Sequence, residues 1–527
     1  MKYLASNFSK FARKYVAFPV LGLVATHSVV QAQPVNESTE PVSAAGGGGG
    51  SRSFSIVPRI SVLETLTDNV RLESGSRRSD LVSTVSPGLS MRSDAGRLRG
   101  FLDYSLNQVL YAREASANNT QNSLNTKMSY EAVSNFAFID VTGSIGQQAI
   151  SAFGQQSIDN SSINSNRTEV ASVSIAPYIR GRVADFANYQ VRYSRTATRS
   201  KGEGASDGDV QDLIASLSGE SNSRVLNWSA TANHSQQKFS LGRTTDSDRL
   251  RAVVTAVVNP QFNVSLIAGH ESNNFATAEK TGKTTFGLGF DAAFSERTRL
   301  NAQIERRFFG TGHSLTFEHR TPHTAWRLSD SKDVSVLPNQ LGRAGLGPLY
   351  DLLFSQFASI EPDPIRRAIL VENFLRANGL NGSTNVNVGF LTSGVTLQKQ
   401  QNLSFTILGL RDTITLIATR GTSSSLLGGP GGSDDFSTSS AVRQLGWTAS
   451  YSHRLTQETS LNVLVNQLRS TGDVGSLSTN LKSLNVTVST RLGLRTTASV
   501  GARHSIFDSS MSPYKETAAF GSVSVQF

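Results

Sequence analysis

The sequence predicts an all-β protein, a large antiparallel transmembrane β-barrel of roughly 16–22 strands with a short α-helical insert. Three observations support this fold class. Apolar and polar residues alternate with a period of two through most of the chain, short and long polar connections alternate between these stretches, and the N-terminus has the features of a secretory signal peptide.

The C-terminal stretch shows the alternation most clearly. One face carries Gly521, Val523, Val525 and Phe527, and the residues between them are polar. A closing barrel strand needs such an apolar lipid face, a polar lumen face and an aromatic residue at the membrane interface. The alternative is the edge strand of a soluble sandwich, although soluble termini usually fray and tend to be polar. We predict that these four residues form a signal for the barrel-assembly machinery and that the chain ends in the periplasm.

The composition suits a barrel better than a conventional globular core. Of 527 residues, 38% are hydrophobic and 17% are charged. A wide barrel requires no conventional core, because half of each strand faces water in the lumen. The absence of cysteine excludes disulfides and thiolate metal sites. The net charge of +10 includes four basic residues within residues 1–32, and no basic run interleaved with aromatic residues predicts nucleic-acid binding.

The N-terminal region divides into two segments that precede the barrel. Residues 1–32 have a basic start, an apolar stretch over residues 15–25 and small or modest residues before a cleavage site after Ala32, as in a signal peptide. Residues 33–53 include five consecutive glycines and form a flexible Gly-rich linker. The barrel is predicted over residues 54–527. No other run of about 20 apolar residues is present, so we expect export to the bacterial outer membrane.

The predicted strands place charged residues on the face opposite the apolar one. Leu102, Leu106 and Leu110 share one face of an early strand, and Leu300 and Ile304 share one face of a later strand. The opposite phase predicts these lumen-lining residues: Arg97, Arg99, Arg299, Glu305 and Arg307. Such arginines either attract anionic solutes or pair with lumen acids such as Asp103 and stiffen the wall, and we favour the pairing.

One stretch departs from the strand pattern. Between residues 341 and 380 the apolar spacing becomes helical, with Leu353 and Phe357 on a first stripe and Ile369 and Phe374 on a second. Asp363 suits the N-cap of the second helix, because a proline follows it at the first helical position. These helices form either a plug or gate in the lumen or a surface hairpin that caps an outer loop.

No motif predicts catalysis, a cofactor or a metal. For a metal site, Pro322 breaks the strand that would otherwise align His313, His319 and His323. For a hydrolase, no Gly-x-Ser-x-Gly elbow is present in the sequence. We therefore expect a protein that is not an enzyme and that holds no cofactor.

Several stretches resemble the PEP-CTERM system-associated outer-membrane protein family. They are ISVLETLTDNVRL (60–72), SDLVSTVSPGLS (79–90), GRLRGFLDYSL (96–106), IGQQAISAFG (145–154), EPDPIRR (361–367) and GFLTSG (389–394). The resemblance covers most of residues 54–527 and leaves out the polyglycine segment. It implies an outer-membrane barrel of species that combine exosortase-type sorting with exopolysaccharide production, and it supplies no catalytic residues.

Taken with the barrel, this resemblance implies a channel or scaffold associated with exopolysaccharide export. The alternatives are an outer-membrane enzyme and a structural envelope protein without transport activity. The expected partners are outer-membrane lipid, the barrel-assembly machinery, and an exopolysaccharide or periplasmic export proteins, around a monomeric barrel.

Overall fold

The computed structural model describes residues 54–184, 186–202, 206–220, 225–336, 367, 371, 389–426, 434–473 and 477–527. Two short 3₁₀ helices, Ala115–Ala117 and Asp435–Ser437, lie in connections between strands. The strands, labelled β1 to β22 in chain order, are Phe54–Thr67, Asp80–Ala95, Leu98–Tyr111, Asn119–Val133, Ala137–Ala149, Arg167–Val183, Ala187–Ser200, Gly208–Glu220, Leu226–Phe239, Thr245–Asn259, Phe262–Asn273, Thr281–Ser295, Thr298–Arg307, Gly310–Arg320, Thr324–Ser335, Thr396–Leu408, Asp412–Ser425, Ala441–Arg454, Thr459–Thr471, Ser478–Arg491, Thr496–Ser509 and Tyr514–Gln526.

The strands form one closed antiparallel sheet. Each strand pairs with its sequence neighbours, and β1 pairs with β22 from Arg59 opposite Gln526 to Thr67 opposite Ala518. The Phe527 amide then donates to the Pro58 carbonyl at 2.9 Å. The predicted all-β barrel is confirmed, and its 22 strands lie at the upper end of the predicted range.

The alternation assigns the two faces of the wall. In β1 the exposed residues include Ile56 and Leu66, whereas Arg59 and Thr65 on the other phase point inward. The outer face carries an apolar surface, whose large exposed members include Ile56, Leu66, Leu250, Leu266, Phe286, Leu288, Ile304, Trp326, Leu445 and Val500. A closed barrel with an apolar exterior can cross a bilayer because every backbone group has a partner within the sheet. The protein is located in the bacterial outer membrane.

Short and long connections alternate around the barrel, and this alternation fixes its orientation. The short turns lie at the end that contains Phe527, which is the periplasmic end, and most of the longer connections lie at the outer end. The turn between β2 and β3 has only two residues, Gly96 and Arg97, and Gly96 adopts a φ of +59°, which glycine tolerates best.

The predicted helical insert joins β15 to β16 at the outer end. Leu353, Phe357, Asp363, Ile369 and Phe374 lie outside the described residues, as do the signal peptide with Ala32 and the linker. Two residues of the insert are described: Arg367 and Val371 are helical, and Val371 is fully buried. Across the described parts of the chain, no helix is long and apolar enough to span a bilayer.

The lumen side is not polar throughout, in contrast to the expectation that the barrel requires no core. Near the outer strand ends, Val82, Val109 and Tyr111 form a buried cluster with Val70 of the β1–β2 connection. A second cluster joins Leu72, Leu481, Phe507 and Tyr514. These apolar side chains occupy the inward phase of their strands because outer loops pack against them there.

Candidate functional site

The lumen wall contains most of the predicted lumen residues. Arg99 and Arg299 lie on the inward phase of β3 and β13 near the periplasmic end, and both are exposed. Arg97 does not lie on the wall, because the β2–β3 turn takes it out of the strand alternation. Asp103, named above as a partner for lumen arginines, pairs with Arg59 of β1 at 2.5 Å. The ion pair spans β2, which separates the two strands.

Glu305 is the centre of an ion-pair cluster inside the wall. Its buried carboxylate accepts from Arg249 at 2.7 Å and from Arg251 at 3.2 Å, although β10 and β13 are separated by two strands. Gly287 lies beside it on the same face, where an added Cβ would come within 3.1 Å of the Glu305 Cβ. Because Gly287 has no side chain, the side chains of Arg249 and Arg251 can pass over this position to reach the Glu305 carboxylate.

Arg307 belongs to a neighbouring cluster nearer the outer rim. Its guanidinium donates to buried Glu271 at 2.9 and 3.0 Å and also pairs with Asp333. The second Glu271 oxygen accepts from the Phe308 amide at 2.6 Å. Glu305 and Arg307 are therefore both engaged in ion pairs that link separate strands of the wall.

Three residues of the predicted assembly signal, Gly521, Val523 and Val525, lie on the outward face of β22. Val523 is opposite Val62 and Val525 is opposite Ile60 of β1, and Gly521 is opposite Glu64. Phe527 follows the strand and is 64% exposed. Their place at the seam agrees with a closing strand, and recognition by the assembly machinery remains a prediction.

An outer loop folds into the barrel mouth. This segment, residues 150–166 between β5 and β6, is called the mouth loop. Its Ile163 amide donates to the Val70 carbonyl at 2.9 Å, and its Gln155 side chain donates to the Leu72 carbonyl at 2.8 Å. On β3, the Tyr111 hydroxyl donates to the Ser161 carbonyl at 2.9 Å. The mouth loop thus leaves its own strands and contacts the first loop of the barrel.

The mouth loop also reaches the last strands of the barrel. The Tyr514 hydroxyl of β22 donates to the Gln156 carbonyl at 2.6 Å, and Thr479 of β20 donates to the Ala152 carbonyl at 3.2 Å. β5 is five strands from β22 around the wall, an arc of about 24 Å. The contacting wall residues lie on the inward phase, so the loop crosses the lumen side of the mouth.

A buried ion cluster joins the loop to the wall. The Arg503 guanidinium of β21 pairs with Asp159 of the loop and with Glu516 of β22, the latter at 2.8 Å. Glu516 also accepts from Thr67 at 2.9 Å and Ser505 at 3.1 Å. Burial by itself would raise the pKa of the Asp159 carboxyl, but Arg503 and the Ser161 and Ser162 hydroxyls hold this pKa below its ordinary value.

Of two adjacent carboxylates in the β17–β18 connection, one binds the start of the mouth loop and the other binds Ser393. Asp435, in the β17–β18 connection, accepts from the Ala152 amide at 2.7 Å and from the Ser151 hydroxyl. Asp434 accepts from the amide and hydroxyl of Ser393 at 2.6 and 2.8 Å. Burial raises the pKa of Asp435 to about 6, against the hydrogen bonds from Ser151 and Ala152. The pair ties the mouth loop and residues 389–395 to one connection.

Apolar packing completes the attachment of the mouth loop. Ala152 and Phe153 pack with Phe390 and Val442 in a buried cluster, and Phe436 packs against it. Phe390 also forms a parallel bridge with Ala149, at the end of β5. From sequence alone, the polar residues of 148–166 predict only a long outer connection. A usable signal was the run of apolar residues on the inward phase at the outer strand ends, such as Val109, Tyr111, Phe507 and Tyr514.

The histidines considered for metal binding do not converge. His313 contacts Asp330 at 3.1 Å, His319 contacts Thr298 at 2.8 Å, and His323 lies in the β14–β15 turn. Within the described ranges, no group of three or more His, Cys, Asp or Glu side chains could hold a metal ion.

Comparisons with known proteins give likenesses of fold. No family model matches the chain, and no curated protein is similar to it in sequence. Among solved structures, the siderophore receptor PirA from Pseudomonas aeruginosa is 10% identical, with a TM-score of 0.43 over 89% of this chain and 80% of that chain. PirA from Acinetobacter baumannii is 9% identical, with a TM-score of 0.48 over 90% and 80%. The FrpB iron transporter from Neisseria meningitidis is 9% identical, with a TM-score of 0.47 over 89% and 81%.

Proposed function

We propose that this outer-membrane barrel is a channel for polar solutes whose mouth loop acts as its gate, and that it serves exopolysaccharide export in PEP-CTERM surface systems. The proposed role is not enzymatic, and the barrel acts as a monomer. The association with exopolysaccharide rests on the sequence resemblance, whereas the channel rests on the geometry of the barrel.

The width and lining of the barrel support passage of a polar solute. A wall of 22 strands gives a barrel roughly 40 Å across, far wider than side chains alone can fill. One side of the lumen is lined by uncharged hydroxyl and amide groups. Examples are the hydrogen bonds Thr406–Thr415 at 3.2 Å, Ser460–Ser489 at 2.9 Å and Ser499–Ser522 at 2.7 Å. Such groups exchange hydrogen bonds with water or with sugar hydroxyls at little cost.

The main support for a gate is that the mouth loop is attached to separate parts of the wall. It is bound to β3 through Tyr111, to β20 through Thr479 and to β21 through Arg503. These polar contacts, and the apolar packing of Ala152 and Phe153, join a loop to the wall and are separate from the strand pairings, so the loop can be released without unfolding the barrel. Release would widen the path at the outer mouth.

A disulfide lock tests the gate, because the chain has no cysteine of its own. The Ile163 amide donates to the Val70 carbonyl, so Val70→Cys with Ile163→Cys places two thiols on adjacent backbone segments. The two cysteines are introduced together with Asp159→Asn, which weakens the ion pair between the mouth loop and Arg503. We expect low planar-bilayer conductance when the disulfide is formed and higher conductance after reduction. Equal conductance in both redox states would show that the mouth loop is not the gate.

The competing role is a structural envelope protein without transport activity, and the attachment of the mouth loop inside the barrel mouth favours it. That role predicts no conductance from the wild type, from the reduced lock variant or after deletion of residues 341–380. For the surface system, deleting the gene should lower extracellular polysaccharide while leaving its synthesis intact. Unchanged secretion would remove the exopolysaccharide assignment without affecting the channel.

A further inference from the structure

A group of basic side chains lies on the lipid side of the wall. In β15 the exposed residues Trp326 and Leu328 mark the outward phase, and Lys332 follows on it. Lys399 of β16 shares the phase of exposed Leu403, and Arg420 of β17 shares that of exposed Leu416. Arg469 of β19 is exposed on the same side of the barrel. Lys332, Lys399, Arg420 and Arg469 are called the outer basic face.

The outer basic face lies near the outer membrane surface. β15 ends at Ser335, three residues beyond Lys332, and β16 begins at Thr396, three residues before Lys399. Three residues of a strand span about 10 Å, and strand tilt reduces the height further. The charges therefore lie at the height of lipid headgroups in the outer leaflet.

The arrangement concentrates positive charge. Lys332 and Lys399 are directly opposite each other across β15 and β16, a placement that is unfavourable for like charges. Arg420 lies two residues from Thr422, the β17 partner of Lys399. Leu445 separates Arg420 from Arg469 in one cross-strand row and is 58% exposed.

The neighbouring acid Asp330 makes its hydrogen bonds with other groups, and Lys399 attracts it from beyond ion-pair distance. Asp330 accepts from Gln401 and contacts His313, both at 3.1 Å. Two nearby basic residues have acidic partners, since Arg443 pairs with Asp473 at 3.0 Å and Lys482 with Asp508 at 3.9 Å. Among the residues that the structure describes, no carboxylate is within ion-pair distance of the four members of the outer basic face.

We propose that the outer basic face binds the phosphate groups of an anionic glycolipid in the outer leaflet. A phosphate between Lys332 and Lys399 would remove their repulsion, and the Arg420 guanidinium could donate two hydrogen bonds to it. Leu403, Leu416 and Leu445 continue the same surface and match the acyl chains. The site thus offers cations at headgroup height and apolar side chains beside them, and it does not depend on the proposed transport function.

Native mass spectrometry of the full barrel in detergent tests this assignment. The probes are diphosphorylated lipid A, the same glycolipid without phosphates, and phosphatidylglycerol. The variant is Lys332→Gln, Lys399→Gln, Arg420→Gln. The control, Arg195→Gln, Lys238→Gln, Lys515→Gln, removes the same number of outward charges elsewhere on the barrel. Of these three residues, Arg195 pairs with Asp209 at 3.4 Å.

We expect the phosphorylated glycolipid to bind the variant on the order of a hundredfold more weakly than the wild type, from about 1 kcal/mol per lost cation. The control should bind it as the wild type does. Equal affinity of wild type and variant, or an equal loss in the control, would overturn the proposal. If heat-modifiable migration shows that the variant does not fold, lipid binding by the wild type alone tests the proposal. The wild type must bind the phosphorylated glycolipid more tightly than both other lipids, and it must retain this glycolipid in millimolar inorganic phosphate. Failure of either condition rejects the site.

Discussion

Arg503 is predicted to control whether the mouth loop stays attached to the wall. Arg503→Gln removes the cation that bridges Asp159 of the loop and Glu516 of β22, and it leaves Asp159 with the attraction of Arg167 alone among the described arginines that act on it. Arg503 is 7% exposed and Glu516 is 2% exposed, so water cannot replace the lost partner without rearrangement. The two carboxylates would then repel each other across the loop–wall contact, and moving the loop away is the simplest relief.

The size of the effect follows from burial. Removing one partner of a buried ion pair costs about 3–5 kcal/mol, because the remaining charge is left uncompensated. If the loop takes up most of this energy by moving, its attached-to-released ratio falls by a factor of roughly 10² to 10³. The barrel wall itself should persist, because the neighbouring β20–β21 and β21–β22 pairings are backbone hydrogen bonds.

Hydrogen exchange of residues 150–166 and single-channel conductance measure this release. The matched control is Arg307→Gln, which disrupts a buried pair with Glu271 but does not touch the mouth loop. We expect faster exchange in the loop and longer open times for Arg503→Gln, and neither effect for Arg307→Gln. Loop protection unchanged by Arg503→Gln would refute the view that this ion cluster holds the loop.

Three further predictions concern neighbouring contacts. The pKa of Asp435 is raised to about 6 from 3.8 when the mouth loop is attached. Attachment of the mouth loop at this carboxylate is therefore strongest below about pH 4 and weakens as the pH rises through 6. The free energy of attachment changes by an amount on the order of 3 kcal/mol. Asp435→Asn can keep the bond from the Ala152 amide through its oxygen and donate from its amide nitrogen to the Ser151 hydroxyl oxygen, and it has no titratable group. It should abolish the pH dependence of Ala152 amide exchange, corrected for intrinsic rates; a persisting dependence would assign it to another group. Tyr514→Phe leaves the Gln156 carbonyl without its donor and should weaken attachment by about 1–3 kcal/mol, with unchanged loop exchange as the contrary result. Deleting Phe527 should lower the yield of assembled barrel in outer-membrane fractions, and normal assembly would exclude a role in recognition.

The barrel was predictable because strand alternation is a local property. A period of two assigns each residue to one face regardless of distant contacts, and this holds for β22 and for Glu305 and Arg307 on β13. Arg97 shows the limit of that reasoning. A two-residue turn interrupts the alternation, and the sequence does not show where the strand stops to within one residue.

The inward fold of the mouth loop was not predictable from the sequence. Strand alternation shows on which face of the wall a residue lies, but it does not show which distant residues around the barrel it contacts. Asp159 and Arg503 are 344 positions apart, and Asp435 is 283 positions from Ala152. Which outer loop turns inward depends on such distant partners. The apolar residues on the inward phase of the outer strand ends indicate only that some segment covers them.

The register at the seam gives the closed sheet a small open edge. Because Arg59 is opposite Gln526, residues 54–58 of β1 extend past the last strand of the barrel and pair with β2 alone along most of their length. Among the described residues, the backbone groups on this side of residues 54–58 have no strand partner apart from the Pro58 carbonyl, which accepts from the Phe527 amide. Strands add to a sheet at an exposed edge, and residues 54–58 of β1 remain such an edge after β1 has paired with β22. A periplasmic segment that pairs with residues 54–58 would extend the sheet from β1 at the point where β22 ends.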